Sequence, residues 1–569
     1  MVYNCFMTIK QQLTEKLTSV LHQMGLETIT PNIDYPADAA HGDYSTNVAL
    51  VGAKKVGKNP MELGEEIAAQ LQKEGKGIIE KIVVVRPGFI NIWVKNEFLL
   101  QNVEKPDASL QTSLTGKKIM VEFAHPNTHK AFHIGHLRNI TTGESIVRLL
   151  ERVGVKVIRA NYQGDVGMHI AKCLYGILHN PEFSLENAPT DLKQRVTLLG
   201  KAYAAGSKAF EEDDKAKQEI GKINKQIYAR DPEIFDVYQT TRQWSLDYFD
   251  AIYKRVGTRY DRLYFESEVY EAGKENVLNG LQKGLFQKSD GAIIFPGSQY
   301  GLHDRVFISS EGNPTYEGKD MGLAPLQHHE YHPDVIMHVL GPEQYGYTRV
   351  IFKALDTLFP EDAGKQLHVV YGWVKLKHGK MSSRTGNVIL GEWLLDEAKQ
   401  KILASYDISE ETAEQVAVGA VKYSFLKVGL NQEIAFDLDE SISLEGNSGP
   451  YLQYTFARTQ SVLRKGEEQE GKPEGKIIPA TLLPEERNLL LLLARFDEVI
   501  EEAAVRFAPN ILCTYLFELT QSFNAFYQKC PILKAEDSVK SFRLSLTAST
   551  GNVIKNGLNL LGIQAPQQM

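Results

Sequence analysis

Cysteine is scarce in this chain of 569 residues, which contains four, and no two of them form a Cys-x-x-Cys pair. That spacing supports neither a zinc knuckle nor a disulfide framework, and it favours a reducing compartment. A His-Glu-x-x-His arrangement is missing too, although histidines cluster at 129–136 and 328–332. We therefore expect no zinc, no other protein-held metal and no bound prosthetic group.

Long apolar runs are also missing. No stretch approaches the roughly 20 residues that a membrane span needs, and the first seven residues lack the basic start of a signal peptide. We expect a cytoplasmic protein with no membrane partner. The formal net charge of −8 argues against a general nucleic-acid coat protein. Any RNA contact therefore requires local basic patches, for which candidates lie at 117–118, Arg138, 375–384 and 458–465.

The length of the chain predicts about three or four domains. Mixed helix and strand patterns predict an N-terminal α+β domain, and later alternation predicts a Rossmann-like, doubly wound parallel sheet with its site at the carboxyl ends of the strands. The strand candidates of this sheet are the apolar runs at 119–123, 155–160, 334–340 and 366–371. A charge-rich helical insertion interrupts this sheet at about 174–298. Helical periodicity then predicts a connector and an all-α bundle with helices at 489–504, 512–527 and 544–561, which completes a multidomain α/β chain. The four units are expected at 1–105, 116–400, 401–445 and 446–569.

A strand candidate at 119–123 leads into the sequence FHIGHLR at 132–138, which opens a helical pattern. The imidazoles of His133 and His136, with the small Gly135 between them, place donors at a strand-to-helix junction where an anion can bind. Taken alone, the His-x-x-His spacing is more often found at an ordinary helix N-terminus.

A second segment lies far downstream and has the sequence GKMSSRTG at 379–386. Its lysine, hydroxyl groups and arginine suit a polyphosphate, which they would hold by charge and hydrogen bonds. Basic serine-rich loops also occur as solvated turns, so the prediction depends on both segments together. They indicate an ATP site, with Mg²⁺ arriving on the ATP. The second segment would contribute Lys380, Met381, Ser382, Ser383 and Arg384.

In this order the two segments resemble the HIGH and KMSKS signatures of class I aminoacyl-tRNA synthetases, with Arg384 in place of the last lysine. The sequence EFAHPN at 122–127 and the stretch 130–139 resemble the corresponding block of arginyl-tRNA synthetases, although His125 replaces a usually small residue. Further similarity lies at 304–306, 312–320 and 555–566. The resemblance implies catalytic roles for His133, His136, Lys380 and Arg384.

Arginine as a substrate agrees with the acidic residues in these segments. A guanidinium is planar and permanently charged, so its selection requires carboxylates placed for forked hydrogen bonds. Glu122 and Asp320 are the acids that we assign, with Tyr316 one helical turn before Asp320. On spacing alone, Asp320 could equally lie in the first turn of a helix while Tyr316 packs in the core.

The resemblance also implies further site residues. Asn127 is similar to the residue that holds the backbone groups of the amino acid. Glu343 and Gln344 follow a strand where the family binds amino acid or adenosine. Asp165 and His169 are expected to face the site.

Contacts with tRNA are expected at both ends of the chain. Strand alternation puts Phe89 and Asn91 on one face, where stacking and an amide would suit a base, although Phe89 could equally be a core aromatic. Tyr451 and Arg458 resemble the start of the family's anticodon-binding domain.

The resemblance implies an arginine–tRNA ligase, in which arginine reacts with ATP to give an adenylate and is then transferred to tRNA(Arg). Its partners would be tRNA(Arg), L-arginine and ATP, and we expect a monomer. Three alternatives stay open: another class I synthetase, a small-molecule nucleotidylyltransferase, and a non-catalytic RNA-binding paralogue. The nucleotidylyltransferase is disfavoured because it would not need a long helical domain after the nucleotide loop.

Overall fold

The structure is a computed structural model that describes residues 7–36, 38–103, 110, 112–377, 389–470, 479 and 481–569. Within these ranges none of the helices combines the length and the apolarity that crossing a membrane would require. The segment 378–388, which contains the whole of the predicted phosphate-binding segment at 379–386, lies outside the described residues.

The N-terminal unit packs helices on one three-stranded antiparallel sheet. The first helix begins where Thr8 and Gln11 form a reciprocal capping box, which satisfies two backbone N–H groups that the helix leaves unpaired. Strand β3 lies between β1 and β2 in the sheet. The elements are α1 (Ile9–Gln23), β1 (Tyr44–Thr46), α2 (Val48–Val56), α3 (Pro60–Glu74), β2 (Ile79–Val85), β3 (Phe89–Val94) and α4 (Asn96–Val103).

A five-stranded parallel sheet forms the centre of the next unit. Four of its strands are those predicted from apolar runs, so the doubly wound architecture is confirmed. The elements of its first half, as far as the edge strand β6, are β4 (Lys118–Glu122), α5 (Ile134–Arg152), β5 (Lys156–Gln163), α6 (Met168–His179), α7 (Leu192–Glu212), α8 (Asp214–Ala229), α9 (Pro232–Arg255) and β6 (Arg262–Phe265).

The second half of this unit completes the sheet, in the order β11-β10-β4-β5-β6. Strands β7, β8 and β9 form a separate antiparallel sheet beside it. The elements are α10 (Glu266–Gln282), β7 (Gln287–Ser289), β8 (Ala292–Phe295), β9 (Arg305–Ile308), α11 (Tyr316–Tyr331), β10 (Val335–Leu340), α12 (Tyr345–Leu358), β11 (Gln366–Val370) and β12 (Val374–Leu376).

The predicted insertion at 174–298 is therefore only partly helical. Helices α7, α8 and α9 fill its first part, but β6 belongs to the central sheet and β7 and β8 to the small one. Strands of three or four residues carry too short an apolar run to be recognised by periodicity.

Helices dominate the rest of the chain. The predicted helix across 489–504 is two helices that meet at Arg495. The Arg495 guanidinium contacts the rings of Tyr35 and Tyr44 and donates to the backbone carbonyl of Asp43 in the N-terminal unit. The elements are α13 (Gly391–Ser405), α14 (Glu410–Leu426), β13 (Ile434–Phe436), α15 (Leu438–Ser441), α16 (Gly449–Glu470), α17 (Pro484–Ala494), α18 (Phe496–Val505), α19 (Pro509–Lys529) and α20 (Asp537–Leu560).

Helix α5 connects the central sheet to the helical part. Asn139 donates to the carbonyl of Val339 on β10, and Arg138 donates to the carbonyls of Trp373, Leu430 and Gln432. Arg138 is fully buried, so the prediction that it belongs to a basic surface patch is wrong. Because a buried guanidinium needs acceptors, these carbonyls fix the helix against the loop that precedes β13.

Candidate active site

One cavity of about 880 Å³ opens at the carboxyl end of the central sheet. All nine described residues predicted for ATP or arginine line it, although they are spread over more than 200 positions of the sequence. Their assembly follows from the fold, because β4, β10 and the N-termini of α5 and α11 meet at this edge. These residues are Glu122, Asn127, His133, Gly135, His136, Tyr316, Asp320, Glu343 and Gln344.

The loop between β4 and α5 is backbone-strained. Ala124 and His125 have φ values of 86° and 52°, a region that side chains larger than glycine seldom adopt. Neighbouring amides hold this conformation, since Asn139 Oδ1 accepts from the N–H of Ala124 and Asn161 Oδ1 from that of His125. Strain that is held by its surroundings is a feature of functional sites.

His133 and His136 share a fixed orientation at the start of α5. Their rings stack with centroids 3.7 Å apart. Nδ1 of His133 accepts from the N–H of Gly135, and Nδ1 of His136 accepts from the N–H of His133. Burial lowers the pKa of both, so the neutral rings carry their proton on Nε2. Each ring is therefore a hydrogen-bond donor at a helix N-terminus.

Glu122 is buried at the end of β4 and is already charge-paired. It accepts from His338 Nδ1 at 3.1 Å and from Gln327 Nε2 at 2.6 Å. Burial would raise the pKa of Glu122, but His338 and Gln327 hold it below its usual value. Burial likewise opposes the charge of His338, yet Glu122 and Gln366 raise the pKa of that ring.

Two further carboxylates of the cavity also have basic partners. Glu266 lies 2.6 Å from Lys319 Nζ, and Glu317 lies 3.0 Å from Arg305 Nη1. Glu266 was missed in the sequence because it directly follows β6, the strand that was not recognised. Gln327, His338 and Tyr347 were missed as well, since no local motif marks them.

Asp320 is a half-buried carboxylate of the cavity and has no ion-pair partner among the described residues. Tyr347 Oη donates to Asp320 Oδ2 at 2.7 Å. Burial raises the pKa of Asp320 to about 7, with Glu122 and Glu266 adding to the effect. Tyr316, one turn earlier, is 56% exposed, so the alternative of a core tyrosine is wrong.

Asp320 therefore differs from the buried carboxylates of the described lining. Glu122, Glu266 and Glu317 are paired with His338, Lys319 and Arg305, whereas Asp320 has no cationic partner. Within the part of the chain that the structure describes, five buried polar atoms of the lining have no hydrogen-bond partner, namely Gln327 Oε1, Tyr162 Oη, His125 Nε2, Arg138 Nε and Arg305 Nε. A monocationic ligand with several N–H donors would give Asp320 a cationic partner and could donate to the Gln327 and Tyr162 oxygens.

Comparison with known proteins gives the family. Residues 98–438 match the model for the catalytic domain of class I tRNA synthetases (R), 7–94 match the arginyl-tRNA synthetase N-terminal domain, and 452–569 match the DALR anticodon-binding domain. An arginine–tRNA ligase of Treponema denticola is 35% identical over 93% of both chains. The chain belongs to the arginyl-tRNA synthetase family. It is therefore an enzyme of the ligase class, and the non-catalytic and nucleotidylyltransferase alternatives fall away.

Other arginyl-tRNA synthetases are similar to this chain over nearly its full length. A relative from Phocaeicola vulgatus is 31% identical and covers 99% of this chain and all of its own. The Thermus thermophilus arginyl-tRNA synthetase structure has a TM-score of 0.81 at 26% identity, with 99% of this chain covered. The fold class is confirmed by this likeness.

Two expectations for this synthetase are not met near the cavity. Asp165 does not face it, because the carboxylate is buried against Arg242 at 2.8 Å and accepts from Ser267. His169 is likewise absent from the described lining. Lys380, Met381, Ser382, Ser383 and Arg384 lie outside the described residues, so their predicted roles stay predictions.

The N-terminal residues expected to contact RNA do not share an exposed face. Phe89 is 40% exposed, beyond the end of β1, and is not a core aromatic. Asn91 is 2% exposed and accepts from Ser45 Oγ at 2.8 Å. The expected exposure of Asn91 is wrong because β1 pairs with β3 at this position and covers the amide.

Tyr451 and Arg458 belong to one cluster on α16 and α19. Arg458 donates to Asn524 Oδ1 at 2.6 Å, and Asn524 in turn donates to Tyr451 Oη. The guanidinium also lies over the rings of Tyr454 and Tyr527. With Tyr527 43% exposed, the cluster places an accessible aromatic ring beside a fixed cation.

Arginine binding should release a proton near pH 7. An arginine cation favours ionised Asp320, so it lowers a pKa that is about 7 in the free enzyme. Below that pH the carboxyl must lose its proton first, and the Kd for arginine should rise about tenfold per pH unit. Calorimetry from pH 5 to 8 measures this. Asp320→Asn should abolish the dependence and Glu343→Gln, on the exposed rim, should keep it; persistence in Asp320→Asn would assign the titration to another group.

Proposed function

We propose that this enzyme activates L-arginine with ATP and transfers it to tRNA(Arg). The arginine carboxylate attacks the α-phosphorus of ATP, forming arginyl-adenylate while pyrophosphate leaves. The terminal ribose hydroxyl of the tRNA then attacks the acyl carbon and releases AMP. The unmatched Asp320 carboxylate carries this assignment, because it makes the cavity complementary to a ligand with one positive charge.

Arginine would lie with its guanidinium between the acidic side chains. Asp320 supplies the charge, Glu122 and Gln327 Oε1 supply further acceptors, and Tyr316 covers the open side. Asn127 would bind the backbone groups of the amino acid. It packs so closely on Gly164 that any side chain there would overlap its Oδ1. Glu343 and Gln344 occupy the rim, where they can reach the amino acid or the adenosine.

ATP would bind by its phosphates at the start of α5. Gly135 keeps the N-terminus open, and Nε2–H of His133 and His136 can donate to oxygens on which charge develops. No covalent intermediate with the protein is needed, so catalysis consists of orientation and electrostatic stabilisation. Lys380 and Arg384 would hold the leaving pyrophosphate, with Met381, Ser382 and Ser383 beside them. Mg²⁺ would enter as the ATP complex.

Transfer RNA would contact both ends of the chain. Phe89 suits stacking in the N-terminal unit, and the cluster around Tyr451 and Arg458 suits the anticodon. Asn91 can act there only through its neighbour Ser45 unless β1 moves. The proposed division of the chain is an N-terminal domain at 1–105, a catalytic domain at 116–400, a connector at 401–445 and a helical domain at 446–569. The enzyme is further proposed to act as a monomer in the cytoplasm.

Loss of a side chain that donates a hydrogen bond to the ATP phosphates should slow the reaction without weakening arginine binding. His136→Ala is expected to lower kcat for arginylation about 10²-fold, because the donor acts mainly in the transition state. The Kd for arginine, measured separately, should change little. His179→Ala removes an exposed histidine far from the cavity and is the control. An unchanged kcat with a raised KM for arginine would remove the assigned role.

Arginine activation should require bound tRNA. If docking at both ends stabilises the active arrangement, arginine-dependent exchange of pyrophosphate into ATP will occur only with tRNA present. Transfer RNA with an oxidised terminal ribose cannot accept arginine but should still support exchange. Rapid exchange without RNA would contradict this requirement and leave the arginine assignment standing.

A further inference from the structure

Two helix ends meet behind the active site. Helix α9 ends in a turn at Val256 and Gly257, and α20 ends in a turn that includes Asn559 and Gly562. Both glycines have φ of 69°. The last carbonyls of a helix lack intrahelical partners and carry the negative end of the helix dipole. Two such ends placed side by side require donors, preferably cationic ones.

Two cations supply those donors, and each of them spans both turns. Arg148 on α5 donates to the carbonyl of Gly257 at 2.8 Å, and to the carbonyl and Oδ1 of Asn559 at 2.9 and 2.8 Å. Lys422 on α14 donates to the carbonyls of Val256 and Gly562, both at 2.6 Å. We call this set of two turns and two cations the rear junction.

The surroundings of Lys422 are unusual for a residue whose role is only to stabilise the fold. It is fully buried, and no carboxylate lies within ion-pair distance of its ammonium among the described residues. Burial lowers its pKa to about 7, with Arg148 adding to the effect. A buried cation of this kind contributes little net stability compared with apolar packing. What it does provide is a specific geometry between three separate segments.

The rear junction lies on a continuous path of contacts from the Arg458 cluster to His133 and His136. Arg458 belongs to α16, and α16 packs so closely on α20 that a Cβ at Gly551 would lie 2.6 Å from Thr459 Oγ1. The end of α20 is tied to α5 by Arg148 and by Ser145, which donates to the carbonyl of Leu560 at 3.2 Å. Helix α5 has 19 residues, about 28 Å, and its other end carries His133 and His136.

We infer that Arg148 and Lys422 in the rear junction are positioning residues. Through them, RNA binding at the helical domain changes the placement of His133 and His136 at the start of α5. The inference rests on the proposed contact between the anticodon and the Arg458 cluster. A shift at the end of α20 changes the acceptors of both cations, and because α5 is a rigid helix the change reaches its N-terminus. The relevant quantity is the coupling between the anticodon end of the RNA and the rate of arginylation.

The test compares kcat for full-length tRNA(Arg) with kcat for an RNA that contains only its acceptor stem. Asn559→Ala removes one acceptor of Arg148 at an exposed position, and Gly562→Ala places a Cβ 2.8 Å from Lys422 Nζ. Each should lower the ratio of the two rates about fivefold or more, the usual lower range of coupling between sites. Rates with the acceptor stem alone should stay within about twofold of the parent enzyme.

Two variants serve as matched controls. Asn559→Asp keeps an acceptor for Arg148 and should keep the ratio. Gly301→Ala, outside the junction, has the same φ of 69° as Gly562→Ala, but its Cβ meets no atom within 4 Å, so it should also keep the ratio. An unchanged ratio in Asn559→Ala and Gly562→Ala overturns the inference, and an equal loss in Gly301→Ala attributes the effect to backbone strain instead.

A failure of the proposed anticodon contact would look different. In that case Arg458→Ala would leave the rate ratio of the parent enzyme unchanged, whatever the junction variants do. A general loss of structure would lower the rates with both RNAs and the melting temperature together. The three outcomes are therefore separable from one set of variants.

Discussion

Asp320 places a half-buried carboxyl group in a cavity whose buried carboxylates, among the described residues, all have a basic partner. An ionised group in that position is costly unless a ligand brings the missing charge, and the raised pKa is the measure of that cost. The neighbouring pairs are necessary for this effect. If His338, Lys319 or Arg305 were free, they could neutralise Asp320 and the cavity would no longer favour a cation. Selectivity for arginine thus depends on the charge balance of the whole lining.

The same edge of the sheet supplies the groups that act on ATP. The backbone of the β4–α5 loop fixes the tautomers of His133 and His136, since both Nδ1 atoms accept backbone N–H groups. Helix α5 is in turn held near its start by Arg138 and Asn139, and near its end by Arg148 and Ser145, which both bond to the last residues of α20. His133 and His136 are therefore placed in part by contacts at the opposite end of their helix, as expected where remote binding affects a chemical step.

The sequence patterns predicted which residues line the site, but they did not predict how those residues pair their charges. Apolar runs gave four of five central strands, and the HIGH segment with its flanks gave nine residues that line one cavity. Glu266 was missed because it follows the short strand β6. The partners of Glu122 and Asp320 were missed because pairing across 27 to 216 positions leaves no local signal. Asn91 was misplaced because alternation along β3 does not reveal that β1 covers it, and the break at Arg495 depends on contacts with the N-terminal unit.

Competition between arginine and citrulline tests the central claim most directly. Citrulline has nearly the shape of arginine but carries a neutral urea group in place of the guanidinium. If Asp320 requires a cation, citrulline should bind at least about 30-fold more weakly than arginine at pH 8, since an unpaired buried charge costs about 2 kcal/mol or more. The gap should shrink in Asp320→Asn. Equal affinities for the two ligands in the parent enzyme would contradict recognition by charge.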